Sequence, residues 1–371
     1  MKARAALLWE QPGKWQVMDV DLDEPGPDEV LVEMVATGLC HSDDHMAVGD
    51  VPLPHLPYCG GHEGSGIVRQ VGPGVRTLKA GDHIVTSFVP SCGACRWCAG
   101  GLQNLCDNGA RILTGAQLDG TFRMRADGKD VATMSMLGTF ADRQVFDEQS
   151  CIKVREDVAL DVACLVACGV PTGWGSAVHA GEVGVGDTVI VIGVGGVGIN
   201  AVQGARYAGA RHVIAVDPVA FKREKALELG ATEAFESIAE AADFGRGVTN
   251  GQGADTAIVT VGVIEGQNIA DGFNAVRKAG TVVVTSMGSP LTTGVPVNLF
   301  EISMFQKRIQ GALYGMGSPR ESVPRLLDLY ADGLLKLDEL VTRRYRLDEV
   351  NEAYADMHAG RNIRGVIDFR H

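Results

Sequence analysis

Nine cysteines punctuate this chain of 371 residues, and four of them, Cys92, Cys95, Cys98 and Cys106, follow the spacing C-x2-C-x2-C-x7-C. Two residues between thiolates let a tight turn bring both sulfurs onto one tetrahedral ion, at about 2.3 Å each. Four sulfurs complete that shell and leave no place for water, so residues 92–106 read as a structural zinc lobe. An iron–sulfur cluster can use related spacing, but Cys106 is followed by Asp107 rather than by the proline of that signature. The odd cysteine count, with no secretory leader in view, also favours metal over a disulfide framework.

A second constellation is dispersed. Cys40-His41-Ser42-Asp43-Asp44-His45 and Gly61-His62-Glu63-Gly64-Ser65-Gly66 lie early in the chain, and Cys168 comes much later, before Gly169-Val170-Pro171-Thr172-Gly173. Cys40, His62 and Cys168 together would give two thiolates and one imidazole, the set that leaves a fourth zinc position for a reactant. A cation in such a site favours loss of an alcohol's proton, which must precede departure of a hydride from carbon. Taken singly, each residue has a plainer use: a buried cysteine as a small hydrophobe, a histidine as a satisfied core group. Spacing alone leaves both readings open.

The third signal is Gly193-Val194-Gly195-Gly196-Val197-Gly198. It follows the apolar, β-branched run Thr188 to Ile192 and opens an alanine-rich helical stretch through Ala208. Glycines there permit a tight turn and close backbone approach, and the helix N-terminus attracts a pyrophosphate. Asp217 follows a second apolar run, Val213 to Val216, and sits where a carboxylate accepts the adenosine ribose hydroxyls and repels a 2′-phosphate, favouring NAD over NADP.

These residues need two kinds of scaffold. Up to about Gly181 the chain reads as short strands and turns, among them Glu29 to Ala36 and Ile67 to Val71. Strand, glycine turn, helix and strand then follow within about thirty residues, a βαβ unit that implies a parallel sheet covered by helices. Thr256 to Val261 and Thr281 to Thr285 fit the same sheet; a helix over Glu321 to Leu329 and a last strand over Gly365 to Phe369 return to mixed structure. The fold class expected is α/β: a β-rich domain over 1–169, a doubly wound Rossmann domain over 170–312, and a return to the first domain over 313–371. A net charge of −13, from 33 basic and 46 acidic side chains, argues against a nucleic-acid partner. The apolar run after Met1 stops at Glu10 and none reaches the ~18 residues of a membrane span, so a cytoplasmic location without a membrane partner is expected.

Gly61-His62-Glu63-x-x-Gly66 with Gly72 and Val75 resembles the signature of zinc-containing medium-chain alcohol dehydrogenases, and the cysteine lobe follows at that family's distance. Cys40-x-Ser42-Asp43-x-His45 and Cys168-Gly169 also correspond, and the similarity spans essentially the whole chain. The resemblance implies a GroES-like catalytic domain plus the Rossmann domain, with two zinc ions per chain. It makes Cys40, His62 and Cys168 the catalytic zinc ligands, with Glu63 and Asp43 beside them, Asp43 orienting His62. Ser42 would take the alcohol's proton, which passes by the cofactor ribose to His45 and out to solvent. By the same resemblance His41 and Arg364 reach the pyrophosphate, Thr172 and Val197 pack near the nicotinamide, Lys222 binds the ribose of NAD, and Phe88 lines the substrate pocket.

The long segment between Cys106 and Phe140 resembles the branch that contains the liver-type and glutathione-dependent formaldehyde dehydrogenases, typically homodimers. Gly49 to Pro57 differs from the acidic loop of the formaldehyde enzymes, which leaves glutathione-adduct oxidation as an alternative. Ile199 to Ala205 and Asp217 to Glu224 look closest to the dimethylnitrosoaniline-dependent nicotinoprotein alcohol dehydrogenases associated with mycofactocin. In those enzymes NAD stays bound and an external acceptor reoxidises it in place. Oxidation of primary alcohols to aldehydes is therefore the expected activity. A zinc protein of the same fold without catalysis is the opposing reading, disfavoured because Cys40, Ser42, His62 and Cys168 are all present.

Overall fold

A computed structural model describes residues 1–370 of the chain. It divides into two units, Met1–Cys168 with Ser318–His371, and Gly169–Gly317. In the first unit, strands Lys2–Leu8, Gln16–Leu22, Met124–Ala126, Lys129–Thr133 and Tyr58–Cys59 close into a barrel. Leu7, Leu8, Leu22, Met124 and Phe140 fill it, all buried; a side chain of this size contributes ~1.5–3 kcal/mol when removed from water.

The second sheet of this unit positions the chemistry. Its central strand Glu29–Gly38 is buried along nearly its whole length and runs antiparallel to Glu63–Val71, with Gly38 opposite Glu63. Strand Arg364–Asp368 pairs antiparallel with the same central strand, Val366 opposite Gly38. This register brings three distant stretches to one end of one sheet: residues 39–40 leaving it, 62–63 entering it, and 364 at the start of the last strand. A slip by one residue would turn each side chain to the other face.

The second unit is a six-stranded parallel sheet in the order Glu233–Phe235, His212–Val216, Thr188–Ile192, Ala254–Val259, Val276–Val284, Arg308–Gly311. Strand order reverses between Thr188–Ile192 and Ala254–Val259, the switch point at which such sheets receive ligands beyond the strand ends. The strand expected to run to Val261 stops at Val259; Thr260 makes a last bond to the neighbouring strand, N–H to the Ile192 carbonyl at 2.9 Å, and its hydroxyl donates to the Gly193 carbonyl at 2.5 Å. The chain crosses back at Ser318 rather than at 313. Residues 313–316 stay with the second unit because Gly315, at φ +61°, lies against Gly175, where an added Cβ would fall 2.3 Å from the Gly315 carbonyl. The helix expected over Glu321 to Leu329 runs from Pro319 to Ala331, with Pro319 in the first turn where no N–H is needed and Pro324 within the helix.

Among the described residues no single helix is long and apolar enough to cross a membrane. The short helices Leu160–Ala167 and Gly169–Ala180 reach that length and composition only as a bent pair, and their residues are almost all buried.

Candidate active site

Cys40, His62, Glu63 and Cys168 converge, with one ligand atom from each lying within 4.8 Å of the others. Cys40 precedes helix His41–Val48, whose first turn carries Asp43 and Asp44 against the positive helix end. Gly61, at φ +88°, aims His62: a Cβ there would lie 2.5 Å from both Phe140 Cδ1 and Thr139 Oγ1. Cys168 ends the tight turn Cys164–Ala167, which is fully buried.

The surroundings of His62 fix its orientation. Asp43, fully buried, accepts the Gly61 N–H at 2.6 Å and places its other oxygen 3.2 Å from His62 Nδ1. That second contact is off the line of a well-formed hydrogen bond, so it acts chiefly through charge. It leaves Nε2 for the cysteine side of the cluster, the arrangement common to metal-bound imidazoles. The Thr86 hydroxyl donates to the His62 carbonyl at 2.9 Å and accepts the Gly64 N–H at 2.8 Å. Phe88 meets the His62 ring edge to face, centroids 5.9 Å apart.

Electrostatics mark the cluster as a cation site. A hydrogen bond from Cys168, and then His62, holds the Cys40 thiol well below its ordinary range despite burial. Cys168 is driven the other way, by Cys40 and by burial. Two sulfurs thus compete for one negative charge, a conflict that a divalent ion removes by stabilising both thiolates. Burial opposes a charge on His62, while Asp43 and Cys40 draw it up; burial also raises Asp43 and Glu63. Soft sulfur and imidazole donors in a buried setting fit zinc.

Arg364 lies beside this cluster rather than apart from it. Its Nη2 donates to the Glu63 carboxylate and, at 3.2 Å, to the Leu39 carbonyl, and the residue is buried. Gly38 makes the pairing possible, since a Cβ there would stand 2.2 Å from Glu63 Oε2. The Cys40 thiol and Ser42 hydroxyl are 3.6 Å apart. Three residues further along the same helix, His45 is buried and its Nδ1 lies 2.7 Å from Asp50 Oδ2. His41, on the first turn of that helix, is exposed.

Cys92, Cys95, Cys98 and Cys106 also bring their sulfurs within 4.8 Å of one another. The Cys92 and Cys98 sulfurs are 3.9 Å apart, far beyond the ~2.05 Å of a disulfide. Backbone N–H groups point at them: Cys95 and Ala94 at Cys92, Cys98 at Cys95, Cys92 at Cys106. Such donors stabilise thiolates; those of Asp107 and Cys98 help pull the Cys95 thiol down to about 6. Cys59, Cys151 and Cys164 are buried apart from both clusters, and burial pushes each thiol up, as in inert packing.

In the second unit the glycine loop has the shape its spacing predicts. Gly193 takes φ +86°, and Gly198 packs so closely that a Cβ would lie 1.9 Å from the Gly193 carbonyl. A Cβ on Gly195 would meet nothing within 4 Å, so this side of the loop is open to a phosphate group. Val197 caps helix Gly198–Tyr207, and the Asn200 side chain donates to the Gly196 carbonyl at 2.9 Å. Asp217 is buried and accepts the Val194 N–H at 3.1 Å and the Val219 N–H at 2.9 Å, tying its carboxylate to the loop. Arg223 donates to the Asp217 and Pro218 carbonyls at 2.7 and 3.0 Å. Lys222 is half-buried on helix Ala220–Glu228. Thr172 is buried with a hydroxyl that finds no protein partner, an orphan that suits a polar ligand group.

Sequence reasoning passed over Gly38, Asp50 and Thr86. Each acts through a partner distant in the chain or through a loop, and only Gly38, opposite Glu63 in the sheet, followed from register.

Comparison with known proteins agrees with this geometry. A family model described as the alcohol dehydrogenase GroES-like domain matches residues 26–156, and one described as zinc-binding dehydrogenase matches residues 196–332. The NDMA-dependent alcohol dehydrogenase of Amycolatopsis methanolica is 52% identical over 367 residues, covering 99% of each chain. The putative alcohol dehydrogenase D of Mycobacterium tuberculosis is 50% identical, over 99% of this chain and 100% of the relative. Among solved structures, an alcohol dehydrogenase zinc-binding domain protein from Burkholderia ambifaria superposes with a TM-score of 0.93 at 33% identity, over the whole of both chains.

Proposed function

The chain belongs to the zinc-type alcohol dehydrogenase family, oxidoreductases that act on small molecules with zinc and a nicotinamide cofactor, and we propose from this that it oxidises primary alcohols to aldehydes as a nicotinoprotein. NAD remains bound through the cycle and an external acceptor reoxidises it in place, mycofactocin being the acceptor class by resemblance. The observation that carries the reading is the convergence of Cys40, His62, Glu63 and Cys168 within 4.8 Å at one end of one sheet. The relative named for its NDMA dependence, 52% identical over nearly all of both chains, supports retained cofactor.

Cys40, His62 and Cys168 hold one zinc ion, and Cys92, Cys95, Cys98 and Cys106 a second that secures the lobe. The first zinc supplies Lewis acidity to the alcohol oxygen. Asp43 keeps His62 turned with Nε2 toward the ion, and Arg364 holds Glu63 close by. Ser42 accepts the alcohol's proton and hands it on toward His45, an imidazole with one nitrogen to accept and one to donate. Phe88 walls the substrate side of His62. Gly193, Gly195, Gly196 and Gly198 cradle the pyrophosphate; the resemblance also assigns His41 and Arg364 to it. Asp217 and Lys222 take the adenosine ribose, and Thr172 and Val197 contact the nicotinamide. The protein works as a homodimer in the cytoplasm.

The test is direct. Purified protein is denatured and the supernatant assayed for NAD, while the native protein is assayed with a primary alcohol and NDMA. About one NAD per chain, and dye reduction without added NAD, is the expected outcome. An empty protein that turns over only with added NAD would discard the nicotinoprotein reading and leave an ordinary exchanging dehydrogenase.

A further inference from the structure

His45 is 3% exposed, so a proton it receives has no direct way to water. Its Nδ1 lies 2.7 Å from Asp50 Oδ2, and the Asp50 side chain is 42% exposed. Asp50 is also held in place. Gly49 ends the helix at φ +94° and donates to the His45 carbonyl at 3.2 Å, as does Val51 at 3.3 Å. Gln11 clamps the loop from the barrel side: Nε2 donates to the Met46 and Val51 carbonyls at 2.6 and 2.8 Å, and Oε1 accepts the Leu53 N–H at 3.0 Å. The neighbouring carboxylates are committed elsewhere, Asp44 to His358 at 2.7 Å and Asp43 to Gly61 and His62.

We propose that Asp50 is a positioning residue for proton removal, accepting the Nδ1–H of His45 so that Nε2 faces the incoming proton. As the donor hydroxyl's O–H bond breaks and the Nε2–H bond forms, the imidazole becomes a cation beside a fixed carboxylate. The charge is balanced where it arises: the Nδ1 proton passes to the half-exposed carboxylate and on to water, and a flip of the ring returns the remaining N–H to Asp50 and a bare nitrogen to the incoming proton. An imidazole with a free choice of tautomer would spend part of its time with Nε2 already protonated and unable to accept. The inference rests on the reading that His45 carries the alcohol's proton.

A double-mutant cycle on the full-length holoenzyme tests it, with Asp50→Asn, His45→Gln and the double variant. The readout is kcat and KM for benzyl alcohol with NDMA as acceptor and saturating NAD present. Thermal melts verify folding, and Asp50→Glu serves as a second variant if Asp50→Asn is unstable. Asp50→Asn is expected to lower kcat about tenfold with KM nearly unchanged, and to change it less than twofold in the His45→Gln background. Asp50→Glu should recover most of the loss. Nitrogen-15 spectra of labelled histidine should show His45 as a single Nδ1–H tautomer that becomes mixed in Asp50→Asn. Equal fold losses in both backgrounds, or unchanged kcat in Asp50→Asn, would overturn the role of Asp50 alone. Unchanged kcat in His45→Gln would instead remove the relay on which it rests.

Discussion

Replacing Asp43 by asparagine keeps the shape of a fully buried side chain and changes only its charge and one acceptor. Asp43 accepts the Gly61 N–H at 2.6 Å, and its other oxygen sets a negative charge 3.2 Å from His62 Nδ1. Asparagine has a single acceptor oxygen, so whichever way its amide turns, either the Gly61 N–H or His62 Nδ1 confronts an NH2 group. A buried donor left without a partner costs ~1–3 kcal/mol, and loss of a carboxylate behind a metal-bound imidazole typically weakens the metal by 10–100-fold. Burial already raises the Asp43 carboxyl, so removing the charge recovers part of its desolvation cost. The lower part of that range follows, about 10–30-fold, or ~1.4–2 kcal/mol. Competition against a graded zinc chelator measures it. Asp43→Asn should lose one zinc per chain early, lose activity with it, and regain activity on zinc addition, while the second zinc is released as in the unaltered protein. If the variant holds both ions as tightly as the unaltered protein, or loses both together, Asp43 does not support His62 in the way described.

Cys95→Ala removes a thiolate that accepts the Cys98 N–H and opens the four-sulfur site; thermal denaturation should show broad destabilisation, because structural zinc contributes folding energy directly. Asp147→Asn tests a buried charge. Burial lifts that carboxyl to about 6 from an ordinary 3.8, so the folded state resists its ionisation and stability is lost as pH rises between those values. Denaturant titrations should find the variant more stable by ~1–2 kcal/mol at pH 7, after discounting for partial solvation, with the gap closing near pH 4. Asp217→Ser removes the acceptor of the Val194 and Val219 N–H groups; cofactor titration of stripped protein should show the preference for NAD over NADP reduced at least about tenfold.

The Rossmann half was largely readable in advance, because its signals are local. A β-branched run, a glycine turn and an apolar helix occupy adjacent residues, and strands Thr188–Ile192 and His212–Val216 lie where that pattern places them. The cysteine lobe is local too, within fifteen residues. The dispersed site was not readable from spacing. Cys40 and His62 meet because Gly38 pairs with Glu63 across two strands, and register is a property of the whole sheet; Cys168 joins them from the end of the buried turn Cys164–Ala167. Resemblance supplied the trio, but not Asp50 or Thr86, whose partners are set by a loop and by a carbonyl. The strand ending at Val259 shows the same limit, since the carbonyls of Ile192 and Gly193 that hold Thr260 lie far back in sequence.

Zinc per chain, counted by elemental analysis in the unaltered protein and in Cys40→Ala, bears most directly on the two-cluster account. Two ions are expected in the first and one in the second, with the fold of Cys40→Ala retained and its alcohol oxidation abolished. A single ion in the unaltered protein, or two in a Cys40→Ala variant that still turns over alcohol, would contradict it.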